Sequence, residues 1–262
     1  MTAVPPPDGA GREPGAPERA APGRAAELAR RLEVVEGRLE AACSAAGRSR
    51  SEITLVAVSK TWPVADVLAL LAASPTAPRD LGESRDQEAA PKAAAVTAAV
   101  GLVEGAAVRW HFVGRLQTNK ARSVASYASV VHSVDRLPLV GALGAGARRA
   151  GRTVEVLLQV SLDGDPSRGG ALPGETGRLA DAVAAEGGLR LAGLMAVAPR
   201  DADPRDAFTR LAETAVDLRR DHPGATWVSA GMSGDLEAAV ACGATHLRVG
   251  SALFGGRTAL GG

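Results

Sequence analysis

The sequence predicts a single (β/α)8 barrel of the TIM type with an extra helix at its N-terminus. Short apolar runs alternate with Ala- and Leu-rich stretches of helical length along most of the chain. Several runs are almost continuous in Val and Leu, as expected for parallel strands covered on both faces. Eight such runs, each followed by a helix or a turn, predict closure into a barrel. An open, doubly wound sheet is the alternative.

The chain changes character at Arg24. Residues 1–23 contain six of the 16 prolines, and this Pro-, Ala- and Gly-rich composition predicts a disordered tail. Four apolar residues then recur at spacings of four, three and four: Leu28, Leu32, Val35 and Leu39. Their spacing predicts a helix with one apolar face, which we expect to end near Gly47. Residues 24–262 are expected to form the barrel domain.

The predicted strands are Thr54–Ser59, Arg79–Gly82, Val108–Val113, Val130–Val134, Val154–Val160, Leu189–Val197, Thr226–Ser229 and Leu247–Gly250. Arg79–Gly82 carries the weakest pattern of the eight. Helical periodicity lies between the strands, for example in Asp206–Leu218, where Phe208 and Leu211 share a face.

Composition excludes several classes of function. A net charge of +1 over 262 residues argues against a nucleic-acid binder. No apolar run reaches the roughly 18 residues that span a bilayer, and no secretory signal is recognisable, so we expect a cytoplasmic protein without a membrane partner. Cys43 and Cys242 are too few for a disulfide framework, and no Cys/His spacing predicts a metal site. P-loop, dinucleotide-binding, serine-hydrolase and zinc-peptidase motifs are absent.

The basic residues indicate one candidate for a reactive amine. Of 30 basic residues only three are Lys, namely Lys60, Lys92 and Lys120. Arg cannot replace Lys where a free amine acts as a nucleophile, because the guanidinium does not deprotonate. Lys60 closes the first strand, where a barrel places its site, and could form a Schiff base with an aldehyde. Lys92, among alanines, is interpreted as surface, and Lys120 as part of a solvated face.

The turns after strands seven and eight resemble a phosphate site. Ser233 lies in a Gly-rich turn that opens a helix, and Gly250 and Ser251 offer a second close backbone approach and hydroxyl. The alternative for Ser233 is an ordinary helix cap. Arg248 lies two residues before Gly250, so the two share a face of the strand. If Arg248 faces inward it needs a partner for its charge, because burying an unpaired charge is costly.

An amine for an aldehyde, a phosphate cradle and a buried donor together suggest pyridoxal phosphate (PLP). The matching segments are Ala57–Lys60, His111–Lys120, Ser133–Asp135, Leu194–Ala196, Gly231–Asp235 and Arg248–Gly255. With these segments the chain resembles the YggS/PROSC family, the pyridoxal phosphate homeostasis proteins, over about Leu28 to Arg257. The family is a single-domain relative of the alanine racemase barrel.

The resemblance implies that Lys60 carries PLP as a Schiff base. It implies that the phosphate is surrounded by Met232, Ser233, Gly250 and Ser251, and that Arg248 faces the pyridine nitrogen. An Arg there is only a donor, so it would keep that nitrogen unprotonated and weaken the ring as an electron sink. The implied function is to hold, buffer and deliver PLP to PLP-dependent apo-enzymes, in a family without established catalytic turnover. We expect a monomer.

Two further residues are candidates for cofactor binding. The family usually has Gly-Glu-Asn after strand two, whereas this chain has Gly82-Glu83-Ser84. Ser84 lacks the reach and one hydrogen-bonding arm of Asn, so PLP would be held less tightly. His111 opens the longest matching segment and is expected near the cofactor or, equally, within the core. The remaining histidines show no recognisable constellation.

Two other functions stay open. A PLP-dependent racemase or decarboxylase of the alanine racemase type would need an opposite-face base, and Tyr127, the sole tyrosine, falls between strands three and four. A barrel that binds another phosphorylated metabolite, or that contacts a partner through its tail, would not depend on Lys60.

Overall fold

The computed structural model describes residues 20–101, 107–165 and 167–256. Their eight strands form one closed barrel in which each strand is parallel to its neighbours in sequence order, and β8 pairs with β1. The strands are β1 Thr54–Val58, β2 Asp80–Glu83, β3 Arg109–Phe112, β4 Val130–Val134, β5 Val154–Gln159, β6 Leu189–Met195, β7 Trp227–Ser229 and β8 His246–Val249. This closure confirms the predicted barrel and excludes the open sheet.

Helices surround the barrel. They are α1 Arg24–Ala45, α2 Val64–Ala73, α3 Asp86–Val100, α4 Ala121–Tyr127, α5 Leu137–Arg149, α6 Thr176–Ala185, α7 Pro204–Asp221, α8 Leu236–Ala241 and α9 Ser251–Phe254. Most of the tail predicted for residues 1–23 lies outside the described residues, as do residues 257–262 of the predicted domain. None of the helices described is long and apolar enough to cross a membrane.

The extra N-terminal helix begins and ends where the sequence predicts. Leu28, Leu32, Val35 and Leu39 are all buried, and α1 packs against α2, α8 and α9. Burying a Leu or Val side chain contributes about 1.5–3 kcal/mol, so this face fixes α1 to the barrel. Arg24 adds polar contacts, with Nη2 donating to Asp66 at 2.9 Å and to the Phe254 carbonyl at 2.8 Å.

The barrel interior contains a polar group as well as apolar side chains. His132 on β4 hydrogen-bonds Ser229 on β7 at 2.9 Å, although β4 and β7 are not neighbours in the sheet. The bond therefore crosses the interior of the barrel. Inward polar groups of this kind must find partners inside, because water does not reach them.

Candidate functional site at the mouth of the barrel

Lys60 lies at the C-terminal end of the barrel, as its position after β1 predicts. Ser59 N donates to the Gly82 carbonyl at 2.9 Å, which keeps the chain beside β2 for one more residue. Lys60 then lines a cavity of about 530 Å³ and is exposed to it. The next residue, Thr61, has φ 69°, a left-handed conformation that is unusual for a β-branched residue. Thr61 and Trp62 line the same cavity.

The turn after β7 forms another part of the cavity wall. Gly231 has φ 87°, and a Cβ there would lie 2.5 Å from Ala239 Cβ and 2.8 Å from Leu247 Cδ2. Glycine is thus required by both conformation and space. Met232 N, next along, donates to Asp235 Oδ1 at 2.6 Å, which closes the turn.

The two hydroxyls predicted for a phosphate lie on this wall. Ser233 and Ser251 both line the cavity, together with Met232 and Gly250. Ser233 Oγ accepts a hydrogen bond of 3.2 Å from Ala252 N, which links the loops after β7 and β8. Small residues, hydroxyls and backbone amides make this wall suited to a phosphate group.

Helix α1 supports the same wall from outside. Arg38 Nη1 donates to the Ser233 carbonyl at 3.0 Å, while its Nε and Nη2 donate to the two carboxylate oxygens of Glu237 at 2.8 and 3.0 Å. A guanidinium bound to both groups fixes the loop and the start of α8 together.

Arg248 forms the floor of the cavity. Its side chain is buried, with Nη1 donating to Ser229 Oγ at 2.6 Å and Nη2 donating to the Ala196 carbonyl at 2.9 Å. Burial lowers its pKa to about 10, so it remains charged near neutral pH. Within the described residues no carboxylate forms an ion pair with Arg248, and its remaining N–H groups are available to an acceptor in the cavity.

Ser84 lies where the sequence predicts, on the cavity wall after β2. Gly114, after β3, lies against it, because a Cβ on Gly114 would be 2.2 Å from the Ser84 carbonyl oxygen. The two backbones are therefore packed closely beside Lys60. Lys120 lines a neighbouring groove, which also includes Ser84, and does not line this cavity.

His111 does not contact the cavity. It is buried in the barrel, where Nε2 lies 2.8 Å from Asp80 Oδ1 and Nδ1 lies 2.8 Å from His132 Nε2. His111 thus lies within the core, which was one of its two expected places, and it is not among the residues that line the cavity. The sequence did not reveal His132 or Asp80 as its partners, because these residues come from three different strands.

Lys92 is not a surface residue. It is 7% exposed, and its Nζ donates to Glu83 Oε1 at 2.6 Å and to the Ser59 carbonyl at 2.8 Å. The interpretation failed because an Ala-rich helix does not show which face meets the barrel. One signal in the sequence could have indicated a buried role for Lys92. Lysine is scarce in this chain, and that scarcity applies to Lys92 as much as to Lys60.

Comparison with known proteins places the barrel in a family. The model of the alanine racemase N-terminal domain family matches residues 38–258. The chain belongs to this family. A pyridoxal phosphate homeostasis protein of Mycobacterium tuberculosis is 44% identical over 248 residues, which cover 90% of this chain and 95% of that protein.

Solved structures agree with the family. PipY of Synechococcus elongatus, solved with PLP bound, is 31% identical with a TM-score of 0.73, over 87% of this chain and 100% of PipY. An alanine racemase from Streptomyces coelicolor shares the fold at 21% identity, with a TM-score of 0.66, over 89% of this chain and 59% of the racemase. A solved protein with this fold and 31% identity to this chain is thus known with PLP bound.

Proposed function

We propose that this chain holds PLP in the cavity at the mouth of the barrel and releases it to PLP-dependent apo-enzymes. The observation that carries the proposal is the convergence of Lys60, Ser233, Ser251 and Arg248 on one cavity. Its volume, about 530 Å³, lies within the usual range for small-molecule sites. The relatives' names and the PLP-bound PipY structure support the same ligand.

The donor set fits the chemistry of the cofactor at each end. Ser233, Ser251 and the backbone around Gly250 offer donors to a phosphate, and Met232 lines the same cavity. Arg248 offers only donors, which match the unprotonated nitrogen of a pyridine ring. Among the described residues that line the cavity, Lys60 alone supplies an amine.

PLP supplies an aldehyde, which condenses with a primary amine to form a C=N bond with release of one water molecule. Lys60 is exposed to the cavity and so remains open to a second amine that could displace it. The arrangement therefore suits reversible storage.

The same residues favour a carrier over a catalyst. Arg248 keeps positive charge and donors at the ring nitrogen, which disfavours the protonated ring needed to stabilise a carbanion. Tyr127 lies at the end of α4 and does not line the cavity, so it offers no opposite-face base. We expect PLP delivery to take place in the cytoplasm, and the two unpaired cysteines favour the same compartment. We also expect the carrier to be a monomer, which size-exclusion chromatography would test.

Borohydride trapping tests the binding site. Wild-type protein mixed with PLP should gain a visible absorbance band, and reduction should fix one phosphopyridoxyl group on the peptide that contains Lys60. Lys60→Ala should lose both signals. Lys120→Ala, which removes a lysine outside the cavity, should keep them. Absence of PLP uptake by the wild type, or labelling at Lys120, would reject the proposed site.

Two assays separate a carrier from an enzyme. PLP-loaded protein, freed of unbound PLP, should reactivate a cofactor-depleted aminotransferase, and Lys60→Ala taken through the same loading and removal of unbound PLP should not. Incubation with alanine and other amino acids in deuterium oxide should leave their α-protons in place. Rapid exchange of an α-proton would instead identify a racemase-type or decarboxylase-type enzyme.

A further inference from the structure

An unbroken row of hydrogen bonds connects the floor of the cavity to the opposite end of the barrel. It starts at Arg248 Nη1, which donates to Ser229 Oγ at 2.6 Å. Ser229 Oγ lies 2.9 Å from His132 Nδ1, and His132 Nε2 lies 2.8 Å from His111 Nδ1. The row ends where His111 Nε2 meets Asp80 Oδ1 at 2.8 Å. Asp80 is the first residue of β2, at the N-terminal end of the barrel.

The carboxylate at one end fixes the direction of every bond. Asp80 can only accept, because hydrogen bonding from His111 and the nearby Arg109 cation lower its pKa even though burial opposes the shift. Burial also lowers the pKa of His111, and lowers that of His132 well below its usual value. Both rings are therefore neutral near pH 7, and each carries one proton.

With one proton per ring, only one arrangement satisfies all the bonds. His111 must carry its proton on Nε2, facing Asp80, so its Nδ1 accepts from His132 Nε2. His132 Nδ1 must then accept, so the Ser229 hydroxyl donates to it. This leaves the lone pairs of Ser229 for Arg248, and each donor in the row has one acceptor.

The row also connects two charges. Arg248 is a buried cation without an ion-pair partner in the described chain, and such a charge is costly to bury. Asp80 is an anion whose other contact, Arg109 Nη1 at 3.4 Å, is longer and partly exposed. The hydrogen bonds of the row all point the same way, from the cation to the anion. Their dipoles therefore stabilise both the Arg248 cation and the Asp80 carboxylate.

The remaining charged and titratable groups near the row do not interrupt it. Arg109 also pairs with Glu155 at 3.1 Å, on the outer side of Asp80. The His246 ring centroid lies 6.4 Å from that of His111, and His246 Nδ1 contacts Thr245 Oγ1. Neither residue replaces a bond of the row.

We propose that Asp80 is a positioning residue that orients Arg248 toward the cavity through His111, His132 and Ser229. This proposal rests on the proposed function in one respect, namely that the group held by Arg248 is the pyridine ring of PLP. Asp80 does not touch the ligand. It fixes which way the Ser229 hydroxyl points, and thereby which N–H groups of Arg248 remain free.

Asp80→Asn tests the proposal because an amide can either accept or donate. The reversed row, in which the introduced amide donates to His111, becomes possible. In ligand-free wild type, ¹⁵N NMR should show both histidines protonated on Nε2, and slow rotation of the Arg248 guanidinium. Asp80→Asn should give mixed tautomers and faster rotation. Ser229→Ala should free the guanidinium and leave the Nε2–H form of His111 unchanged.

The effect on ligand is measured with PLP itself. Asp80→Asn and Ser229→Ala should each release PLP about threefold to tenfold faster than wild type, as coupling within one hydrogen-bond network predicts. Both should also shift the visible absorbance maximum. Arg109→Gln removes the other contact of Asp80 but keeps the hydrogen bond from His111, which is the larger cause of the lowered Asp80 pKa, so it should change neither the release rate nor the absorbance maximum.

The two proposals fail in different ways. If either histidine carries its proton on Nδ1 in wild type, or if Asp80→Asn mixes the tautomers without altering Arg248 or PLP release, the positioning role is wrong. If wild type takes up no PLP while the NMR results are as expected, the proposed function is wrong and the link from Asp80 to Arg248 stands. Should Asp80→Asn fail to fold, His132→Phe supplies the test, because it interrupts the row at a residue that forms no hydrogen bond with Arg248 and should likewise speed guanidinium rotation and PLP release.

Discussion

Lys92 Nζ lies 2.6 Å from Glu83 Oε1, and both side chains are buried beneath the strand end that carries Lys60. The same ammonium donates to the Ser59 carbonyl, and Ser59 Oγ donates to Glu83 Oε1 at 2.8 Å. Glu83 Oε2 has no protein partner in the described chain. The backbone just before Lys60 is therefore held by a buried ion pair whose two charges depend on each other.

Lys92→Met should destabilise the protein by about 3–5 kcal/mol, because it leaves the Glu83 carboxylate buried without its cation. Urea unfolding would measure the loss. The double variant Lys92→Met/Glu83→Met removes both charges and should recover much of it. A single variant as stable as wild type would contradict the ion pair. If the double variant regains stability but does not take up PLP normally, the ion pair also orders the turn at Lys60.

Ser84→Asn should slow the release of PLP. The longer carboxamide can add one hydrogen bond on the cavity wall, and a net contribution of about 0.5–1.5 kcal/mol corresponds to about a twofold to twelvefold slower rate. Stopped-flow transfer to an apo-enzyme in excess would measure it. Ser84→Ala is the matched control and should release PLP no more slowly than wild type. Faster release by Ser84→Asn would show that the cavity has no room for the amide beside Gly114.

Gly231→Ala should weaken both stability and PLP binding. The added Cβ meets Ala239 and Leu247, and φ of 87° is itself costly for alanine, so we expect a loss of about 1–3 kcal/mol. The shifted turn should also displace Ser233 and raise the Kd for PLP. Gly234→Ala is the control, because nothing lies within 4 Å of a Cβ at that position. Equal effects of the two substitutions in thermal unfolding would count against this account.

Acid should destabilise the protein before its carboxylates titrate. Burial lowers the pKa of His111 and His132, and it lowers that of His246 to about 3. In the unfolded chain each histidine binds a proton near pH 6.5, so stability is fully present above that pH and falls below it. The slope is at most about 1.4 kcal/mol per pH unit for each histidine.

Urea midpoints between about pH 7.5 and about pH 5 would measure this slope. His246→Gln removes one of the three groups and should reduce the slope without altering the row from Asp80 to Arg248. A midpoint that stays constant over the range would mean that the three rings bind protons as readily in the folded protein as in the unfolded chain.

The sequence predicted those features that depend on local pattern. Leu28 to Leu39 define the apolar face of α1 by their spacing alone, and the apolar runs locate the strands. Lys60 was identified because strand ends in a barrel meet at one face, whatever the exact register. Ser233 and Ser251 followed from the same argument.

Features that depend on which side chains meet across the barrel were not predictable. His111, His132 and Ser229 come from β3, β4 and β7, and their contacts depend on the stagger and closure of the whole sheet. Lys92 was misinterpreted for a related reason. The face that α3 turns inward is determined by packing, since alanine is compatible with both faces.

The contact of Arg38 with the loop at Ser233 joins the N-terminal helix to the ligand site by thermodynamic linkage. A ligand that orders this loop must also reduce the opening of α1, and anything that detaches α1 must weaken the ligand to the same extent. Amide hydrogen exchange in Arg24–Ala45 would therefore slow on loading, although none of these residues lines the cavity.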